Sequence, residues 1–514
     1  MSIMGLDVGS SGCKARVYSE EGTLIAQSRA SYRSTSPRPD WMELDARLLW
    51  RKVAESIRDA ARAAAEKRDP VTVLSMATMG DSLVAVRQDG TPLGPYILYS
   101  DRRSVPQTDR IVKSMGRKRL FAITGMPPHP MNTLTKILWL RDNDAERFRS
   151  AARFLCVEDF IMTRLGLPPT TSFSNASRTM AFSIADCRWS EEILSAADLE
   201  RGRLPEAVPS GTVIGTVEKG VARALGLHER VRVVAGGLDQ ACGILGADAA
   251  SFGSVQNAMG TQEILAFTVP AGMLSPEVGR KLLAGRYSVG RHVLPDAYMI
   301  MGMIINPGLL VRWASLTLQT GRGGRARSLD TLIDAALTGR PPCHVTVLPY
   351  LSGRGTPEMN ASACGVILGL DPSVSGLDIF QSVLQGIAYE AAINVEAMEA
   401  IGLRISSFKC VGGGARSDAY LQLRSDVLSR EVARMRDREA AAVGAVVLAG
   451  VGSGVWKSMT HAARLLNAEQ CVFRPNPVNA DFYRKQKALH VRLSRVLKTS
   501  FAVSARLVRA VNRS

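Results

Sequence analysis

Two short glycine turns, each flanked by runs of alternating apolar residues, constrain the fold of this chain more than any other feature. The first is Gly9-Ser10-Ser11-Gly12 within MGLDVGSSGCKARVYS, and the second is Gly260-Thr261 within SVQNAMGTQEILAFTV. The alternation on both sides of each turn predicts strands, so each turn is expected to form the tip of a β-hairpin. Two similar hairpins, about 250 residues apart, predict a duplicated α/β unit whose halves close over one cleft.

The first turn fits neither of the two common phosphate loops. A Walker A loop needs Gly-Lys-Ser/Thr before a helix, and the dinucleotide fingerprint needs G-x-G-x-x-G before a helix, whereas a strand follows Gly12. Glycine and serine at a hairpin tip still leave backbone N–H groups free to point at one oxyanion, and Asp7 lies where it could hold a cation or its waters. An ordinary tight turn is the alternative interpretation.

Length and cysteine usage limit the class of protein. A chain of 514 residues has room for about two to four domains with large cores. No apolar run approaches the roughly 20 residues that span a bilayer, and Asp7 interrupts the region where a secretory signal would be apolar. The eight cysteines include no C-x-x-C pair and the six histidines lack metal-ligand spacing. We therefore expect reduced thiols, a cytoplasmic location and no bound transition metal.

The net charge of +17 is concentrated near the C-terminus. Between Arg484 and Arg513 there are nine Lys or Arg residues and no Asp or Glu, which is about half of the excess. The stretch LHVRLSRVLKTSFAVSARLVRAV is predicted as one amphipathic terminal helix, solvated or packed, in preference to a membrane or RNA contact. We expect neither nucleic acid nor a membrane as a partner.

The order of predicted elements is that of an α/β protein. After the first hairpin, TLIAQSRA continues the strand meander, LLWRKVAESIRDAARAAAEKR is predicted as a long helix and VTVLSMAT as a buried strand. The second half repeats hairpin, helix, strand and helix up to EAAAVGAVVLAGV. PSGTVIG (209–215) and the Arg/Gly-rich GRGGRARS (321–328) are predicted as surface loops.

Three acidic residues and one glycine run mark the candidate chemistry. Asp239 follows a β-rich run and Gly-Gly, where it could project into a ligand crevice or cap a helix. Asp81 ends a predicted strand, and Asp101 in ILYSDRRS is either a site residue or half of a solvated ion pair. Glycines 412–414, between a strand and a helix, would let a phosphorylated ligand approach the backbone.

Together these stretches resemble the FGGY carbohydrate kinases, the sugar and polyol kinases of the actin/hexokinase-like ATPase superfamily. The resemblance omits only about the last fifteen residues and runs in family order through GLDVGSSGCK, DWMELDARLLW, GTPLGPYILYSDRR, AGGLDQACGILGAD, NAMGTQE, LQGIAYEAAINVEAM and VGGGARSDAYLQLRSDVLSREV. It implies an α/β fold of two ribonuclease H-like (actin-like ATPase) domains flanking a catalytic cleft. Residues 1–248 would hold the sugar site, first phosphate loop and base, residues 249–498 the nucleotide site, and residues 499–514 a basic tail.

The resemblance also implies roles for individual residues. Asp239 matches the family's catalytic base, which takes a proton from the sugar hydroxyl as it attacks the γ-phosphoryl group of ATP. Asp7 and Asp239 would hold Mg²⁺. The ATP-binding positions are Gly9, Ser10, Ser11, Gly12, Lys14, Gly260, Thr261, Gly413, Gly414 and Ala415. The substrate-binding candidates are Gly80, Asp81, Ser82, Asp101, Asn132 and Asp239.

The substrate side departs from the two best-known members of the family. Xylulokinases carry Gln-Met-His-Gly at Met79-Gly80-Asp81-Ser82, and glycerol kinases carry Arg-Glu at the middle two positions. Asp81 could accept hydrogen bonds from a hydroxyl pair, but no cation is expected beside it. Leu238 replaces a small residue before the base, and Gly355 stands where relatives often have Glu-Arg. The resemblance therefore does not predict a xylulokinase or a glycerol kinase specifically.

The expected function is an ATP- and Mg²⁺-dependent kinase for a small, pentulose-like ketose or polyol. Two alternatives are a kinase for a non-sugar hydroxyl compound and a catalytically silent sugar sensor or actin-like ATPase. Retention of Asp7, Lys14 and Asp239 favours catalysis. The expected partners are a small sugar or polyol substrate and a second copy of the chain in a homodimer.

Overall fold

A computed structural model describes residues 2–318 and 328–511. The Arg/Gly-rich loop predicted at 321–328 lies, apart from Ser328, outside the described residues. The strands of the first half are β1 (Ser2–Val8), β2 (Gly12–Ser19), β3 (Leu24–Ser31), β4 (Glu43–Leu44), β5 (Val71–Thr78), β6 (Val84–Val86), β7 (Tyr96–Ile97), β8 (Arg153–Leu155), β9 (Thr170–Ser172), β10 (Phe182–Ser183), β11 (Arg188–Trp189), β12 (Glu206–Val208), β13 (Val213–Thr216), β14 (Arg232–Val234) and β15 (Gly237–Leu238). Its helices are α1 (Ala46–Glu66), α2 (Val105–Met115), α3 (Arg117–Thr124), α4 (Thr133–Asn143), α5 (Ala145–Ser150), α6 (Val157–Arg164), α7 (Phe173–Ala176), α8 (Glu191–Ala197), α9 (Lys219–Ala224) and α10 (Asp239–Gly246).

The largest sheet of the first half begins with the predicted meander. Strand β1 pairs antiparallel with β2, and β2 with β3. On its other side β1 pairs parallel with β5, which also pairs parallel with β14 and β15. Strand β13 closes the edge antiparallel to β14. The prediction of a surface loop at 209–215 is therefore wrong in its second half, since β13 begins at Val213. None of the β13 side chains is fully buried, so the sequence lacks the alternating apolar pattern that would indicate a strand.

The second half repeats this sheet. Its order is β24, β23, β22, β16, β17, β19 and β18, with β16 to β17 and β17 to β19 antiparallel and β16 to β22 and β22 to β23 parallel. Its strands are β16 (Ser254–Met259), β17 (Glu263–Pro270), β18 (Ser288–Arg291), β19 (Ala297–Ile304), β20 (Thr346–Leu348), β21 (Val366–Leu368), β22 (Ser407–Val411), β23 (Glu431–Met435) and β24 (Glu469–Phe473). Its helices are α11 (Pro276–Ala284), α12 (Pro307–Thr317), α13 (Leu329–Leu337), α14 (Gly376–Glu399), α15 (Asp418–Leu428), α16 (Ala440–Gly452), α17 (Met459–Leu466), α18 (Ala480–Val496) and α19 (Lys498–Val511). The predicted duplication is confirmed, while the boundaries at 248 and 498 stay predictions.

Helix α1 shows how local sequence sets an element. The Asp45 carboxylate accepts from the N–H groups of Arg47 (2.7 Å) and Leu48 (3.1 Å), so two backbone donors at the start of the helix are satisfied. Apolar residues recur at helical spacing along one face, and that face is buried against β2 and β3. The long helix predicted from LLWRKVAESIRDAARAAAEKR is therefore confirmed.

Helices α10 and α16 join the two halves. Helix α16 is apolar on all sides and packs on β1 and β5 of the first sheet, whereas α10 packs on β17 of the second. The helices cross at glycines. A Cβ on Gly444 would lie 1.9 Å from the carbonyl oxygen of Cys242, and one on Gly246 would lie 1.9 Å from the carbonyl oxygen of Ala440. Only glycine permits this backbone contact, so the crossing fixes how the halves meet.

The basic C-terminal segment forms two helices instead of the predicted one. Helix α18 ends at Val496, and α19 begins at Lys498. Phe501 of α19 packs on Tyr350, with 6.1 Å between the ring centroids, and is only 3 % exposed. A cluster with Leu348 and Leu497 covers the same ring. The start of the predicted tail is thus anchored to the second half.

We predict that Gly444→Ala destabilises the protein by about 3 kcal/mol or more, because its Cβ would force apart the backbones of α10 and α16. Gly279→Ala in α11 is the matched control, since the nearest atom to its Cβ would be 3.9 Å away. This control should gain about 0.5–1 kcal/mol from helix propensity. Chemical denaturation of both variants measures the difference, and equal changes in the two would contradict the role given to the crossing.

Candidate active site

Three carboxylates leave the first sheet at one edge. Asp7 near the end of β1 is paired with Ala77 of β5, and Thr78 is paired with both Val8 and Leu238. Since β1, β5 and β15 are parallel, the residues at their carboxyl ends lie side by side. Asp7, Asp81 and Asp239 are therefore brought to one place. Their charges act on each other, because the negative charges of Asp7 and Asp81 both raise the pKa of Asp239.

Asp239 is the first residue of α10, so the alternative that it caps the helix is wrong. The N-cap position belongs to Leu238, and the Asp239 carboxylate accepts one bond, of 2.7 Å, from the N–H of Gln240. Within the described residues its other oxygen has no protein partner. Burial, followed by the charge of Asp7, raises the pKa of Asp239 to about 7. A half-buried carboxylate with a pKa near neutrality suits proton abstraction.

A buried acid that the sequence analysis missed positions the segment leading to Asp239. Glu158 accepts bonds from the N–H (2.9 Å) and hydroxyl (2.7 Å) of Ser172, from the side-chain amide of Asn175 (2.7 Å) and from the N–H of Gly236 (2.9 Å). Burial raises the pKa of Glu158, and these donors oppose the shift. Its partners lie up to 78 residues away in the chain, so no local pattern could have identified it.

The first glycine turn is a hairpin tip with free donors, as predicted. The N–H of Gly9 donates to the carbonyl oxygen of Gly12 (3.0 Å), and the Tyr32 hydroxyl donates to the carbonyl oxygens of Gly9 (2.6 Å) and Gly12 (3.1 Å). Between them, the N–H groups and hydroxyls of Ser10 and Ser11 donate to no acceptor in the described part of the chain. Tyr32 therefore holds the loop while these donors face outward.

Lys14 lies opposite Asp7 on the same hairpin. Its ammonium is 3.6 Å from the Asp7 carboxylate and also pairs with Glu439, the residue before α16. Burial is the largest effect on Asp7 and raises its pKa, whereas Lys14 lowers it. Two positions further along β2, Arg16 pairs with Asp437 of the second half. The first hairpin is thus connected by ion pairs to the segment that leads into α16.

The second hairpin and the glycine run meet at the edge of the second sheet. The N–H of Gly260 donates to the carbonyl oxygen of Gln262 (3.1 Å), and Thr261 is exposed at the tip. Gly412 has φ +90°, and a Cβ there would lie 2.9 Å from the carbonyl oxygen of Met259. Because β16 and β22 are parallel neighbours, Gly260, Thr261 and the glycine run share one edge.

The backbone of the glycine run is accessible at Gly413. A Cβ on Gly413 would meet no atom within 4 Å, so the space above this residue is open. Gly414 packs against Met259, and the Ala415 side chain is fully buried. Gly413 and Gly414 can therefore contact a ligand through main-chain atoms, whereas the contact expected from Ala415 stays a prediction.

A cation does stand beside Asp81, contrary to the sequence expectation. The Arg178 Nε donates to Oδ2 of Asp81 at 2.9 Å, from 97 residues further along the chain. Asp81 has φ +63°, and its Oδ1 is buried without a partner among the described residues. Ser82 bonds only nearby groups, with its N–H 2.8 Å from the carbonyl oxygen of Gly80.

The two remaining substrate candidates are engaged internally. Asp101 is 1 % exposed, so its pairing with Arg103 is a buried ion pair and the solvated alternative is wrong. Its Oδ2 is 2.8 Å from an Arg103 Nη2 and also accepts from the N–H of Met42 at 2.6 Å. Asn132 accepts from the N–H of His129 (3.0 Å) and donates to the carbonyl oxygen of Arg178 (3.5 Å). Whether either contacts substrate stays a prediction.

Two further observations concern the described residues as a whole. Across 2–318 and 328–511, no helix combines the length and apolar character needed to cross a bilayer. The same residues contain no group of three or more His, Cys, Asp or Glu side chains arranged to hold a metal ion.

Comparison with known proteins extends the sequence resemblance. A glycerol kinase of Bordetella parapertussis is 28 % identical over 481 residues, 92 % of each chain. A xylulose kinase of Bacillus subtilis is 25 % identical over 482 residues, 94 % of each chain. The crystal structure of Plasmodium falciparum glycerol kinase with ADP superimposes with a TM-score of 0.86 at 18 % identity, covering 96 % of this chain and 98 % of that one. This likeness confirms the predicted two-domain α/β fold of the actin-like ATPase class.

Family patterns match most of the chain. The N-terminal domain of the FGGY family of carbohydrate kinases matches residues 2–246, and the C-terminal domain of the same family matches residues 274–453. These ranges contain the first hairpin, the glycine run and all three carboxylates, whereas the second hairpin lies in the stretch between them. The chain therefore belongs to the FGGY family of carbohydrate kinases, which are phosphotransferases.

Proposed function

We propose that this kinase transfers the γ-phosphoryl group of ATP to a hydroxyl of a small, pentulose-like ketose or polyol, with Asp239 as general base. The observation that carries the proposal is the Asp239 carboxylate, which has one oxygen without a partner among the described residues and a pKa of about 7, at the edge where β1 of the first hairpin also ends. The ADP in the related glycerol kinase structure supports ATP as donor.

The two hairpins and Asp239 would have separate roles in this reaction. Phosphoryl transfer requires an aligned hydroxyl and compensation of the charge on the phosphoryl oxygens. The N–H groups of Ser10 and Ser11 and the Lys14 ammonium would bind phosphate oxygens from one half, and Gly260 and Thr261 would do so from the other. Asp239 would hold the acceptor hydroxyl and take its proton. Closure of the halves would exclude water as a competing acceptor.

Mg²⁺ fits the carboxylates of this edge. The negative charge of Asp7 raises the pKa of Asp239, a repulsion that a divalent cation relieves. Proteins commonly hold Mg²⁺ through one or two carboxylates together with substrate phosphates, so a larger cluster of protein ligands is unnecessary. When bound, the ion would supply positive charge at the phosphate oxygens. Asp7 and Asp239 are the residues that would hold it, directly or through water.

The state of the cysteines bears on the location of the enzyme. All eight cysteines are free thiols, which supports a cytoplasmic enzyme. The homodimer expected from the sequence stays a prediction.

We predict that Asp239→Asn lowers sugar-dependent ADP release by about 10²–10⁴-fold, because the acceptor hydroxyl loses its base. Binding of ATP should be nearly unchanged, since the proposed nucleotide contacts come from the two hairpins and the glycine run. A coupled assay with C3–C6 ketoses and polyols measures the first quantity, and fluorescence titration with a nucleotide analogue measures the second.

In the wild-type enzyme, kcat/KM for the sugar should rise with pH around 7 and then level off. Unchanged turnover in the variant would exclude Asp239 as the base, and sugar binding without turnover in the wild type would favour the sensor alternative.

The same variant should become more stable than the wild type as pH rises. The pKa of Asp239 is about 7 in the folded protein against 3.8 for a free side chain. Between these values the folded state retains a proton that the unfolded state has released, so wild-type stability falls with rising pH across this window. Asparagine does not titrate, and the variant should gain about 2–4 kcal/mol by pH 8 and nothing at pH 4. Unfolding curves of both proteins across this range test the prediction, which a pH-independent difference would contradict.

We predict that Gly413→Ala raises KM for ATP at least about tenfold without changing stability. The new Cβ meets no protein atom within 4 Å, so it would occupy only the space proposed for the nucleotide. Gly202→Ala is the matched control, because its Cβ also meets nothing within 4 Å and the residue lies outside the proposed site. An equal KM in both variants would remove the glycine run from the nucleotide site.

A further inference from the structure

Three polar side chains form a buried cluster at the base of the second glycine hairpin. Arg424 of α15, Glu263 at the start of β17 and Asn257 within β16 are all buried. Nη2 of Arg424 donates to Oε1 of Glu263 and, at 2.9 Å, to Oδ1 of Asn257. Nδ2 of Asn257 donates to the same Glu263 oxygen at 3.0 Å. We call these three residues the polar triad.

The polar triad connects the second hairpin with the helix that follows the glycine run. Glu263 begins β17 and is paired with Met259 across the hairpin. Arg424 lies about two turns along α15 from the N-cap Ser417, and the glycine run lies just before that cap. Met259 also contacts the run, because a Cβ on Gly414 would be 2.9 Å from its side chain. Hairpin and glycine run therefore meet at Met259, and the polar triad bonds one to the helix of the other.

Arg424 has no alternative acceptor if the hairpin moves. Its Nε and Nη1 are buried and make no hydrogen bond among the described residues. Its ion-pair partner there is Glu263. A displaced hairpin would leave a fully buried guanidinium without its counter-charge, which is strongly unfavourable. The polar triad therefore favours one position of the hairpin over displaced positions.

Stability alone does not account for the polar triad. Removing two opposite charges from water costs free energy that their attraction often fails to recover, and apolar side chains of similar size commonly stabilise a protein as well or better. Its surroundings would accept such side chains, since Leu265 of β17, Phe408 of β22 and Leu421 of α15 belong to one apolar cluster. Apolar contacts are not directional, whereas a hydrogen-bonded network specifies one arrangement of its partners.

We propose that Arg424 is a positioning residue for ATP, which acts through Glu263 and Asn257 to hold the second hairpin in register with the glycine run. The inference rests on the ATP site of the proposed function, in which Gly260 and Thr261 bind phosphate oxygens and the glycine run contacts the same nucleotide. The polar triad acts without touching ATP itself. Its members lie 161 and 167 residues from Arg424 in the chain, so no local motif identifies this residue.

The main test replaces the whole polar triad by apolar residues, with Asn257→Val, Glu263→Val and Arg424→Met in one chain. This variant leaves no charge of the triad unpaired, so its urea midpoint should equal or exceed that of the wild type. The Kd for ATP should nevertheless rise about tenfold or more, because the hairpin is no longer held in register. KM for the sugar should stay within about threefold of the wild type. A variant of wild-type stability that binds ATP with the wild-type Kd would overturn the proposal.

A matched pair of single substitutions keeps the test independent of how the apolar variant packs. Glu263→Gln keeps the shape of the side chain but removes the counter-charge of Arg424, and Kd for ATP should rise about tenfold. Glu390→Gln is the control, because Glu390 is also buried and pairs with Arg354 at 3.1 Å in the same half. Its other side-chain partners, Tyr350 and His490, lie outside the hairpin and α15. This control should lower the urea midpoint but leave Kd for ATP unchanged, and equal weakening of ATP binding by both variants would contradict the positioning role.

A conservative substitution at position 424 provides a rescue. One nitrogen of Arg424 makes both bonds of the polar triad, so the ammonium of Arg424→Lys can supply them. Kd for ATP in this variant should stay within about threefold of the wild type, whereas Arg424→Met alone should raise it about tenfold or more. Equal losses in the two variants would also contradict the proposal.

The outcomes separate this inference from the proposed function. If the wild type binds no ATP, both are overturned. If it binds ATP but phosphorylates no C3–C6 ketose or polyol, the proposed function is overturned, and the ATP titrations still decide the role of Arg424. If it phosphorylates an acceptor and every variant of the polar triad retains the wild-type Kd for ATP, only the positioning role is overturned.

Discussion

The contact between α10 and α16 is the constraint on which the remaining structure depends. Gly246 and Gly444 let the two backbones touch, so one apolar core continues from β1 and β5 through both helices to β17 and β22. Each helix is attached at its N-terminal side to part of the site, because α10 begins with Asp239 and α16 follows Glu439, the partner of Lys14. A shift at the crossing would therefore move Asp239, the proposed base, relative to the first hairpin, so the packing of the halves and the proposed chemistry depend on the same few residues.

The cleft is electrostatically unfavourable for the fold and useful for the reaction. Three carboxylates meet at one sheet edge. Burial and the charge of Glu439 raise the pKa of Asp7, and burial and the charges of Asp7 and Asp81 raise the pKa of Asp239. A protein selected only for stability would not keep them there. The fold can retain them because Lys14 and Arg178 lie alongside. Glu158 accepts four hydrogen bonds, one of them from the N–H of Gly236, and so helps to hold the segment that leads to Asp239. The negative charge that these two cations leave uncompensated is available to bind the proposed metal ion and to accept a proton.

Sequence analysis predicted those parts of the candidate site that depend on neighbouring residues in the chain. Both hairpins, the glycine run and Asp239 at a strand end follow from alternation and turn residues, and the resemblance to a family supplied their roles. Sequence reasoning failed where a partner is distant: Arg178 meets Asp81 across 97 residues, and Glu158 meets Gly236 across 78. Exposure was misjudged for a related reason. Asp101 has the charge pattern of a surface pair, and only tertiary packing buries it. The pairing of β13 with β14 and the division of the C-terminal segment into α18 and α19 likewise depend on tertiary contacts.

The two departures from the family pattern at Gly80 and Leu238 are related, because these residues lie in contact. Leu238 is larger than the small residue expected before the base, and Gly80 is smaller than the residues that xylulokinases and glycerol kinases carry. The space that a side chain at position 80 would need is filled by Leu238 and by the stem of Arg178. Restoring a larger residue at 80 would displace both, so these positions are coupled and could change only together. Arg178 also carries the positive charge that lies beside Asp81, so a larger residue at position 80 would disturb this ion pair as well as the packing of Leu238.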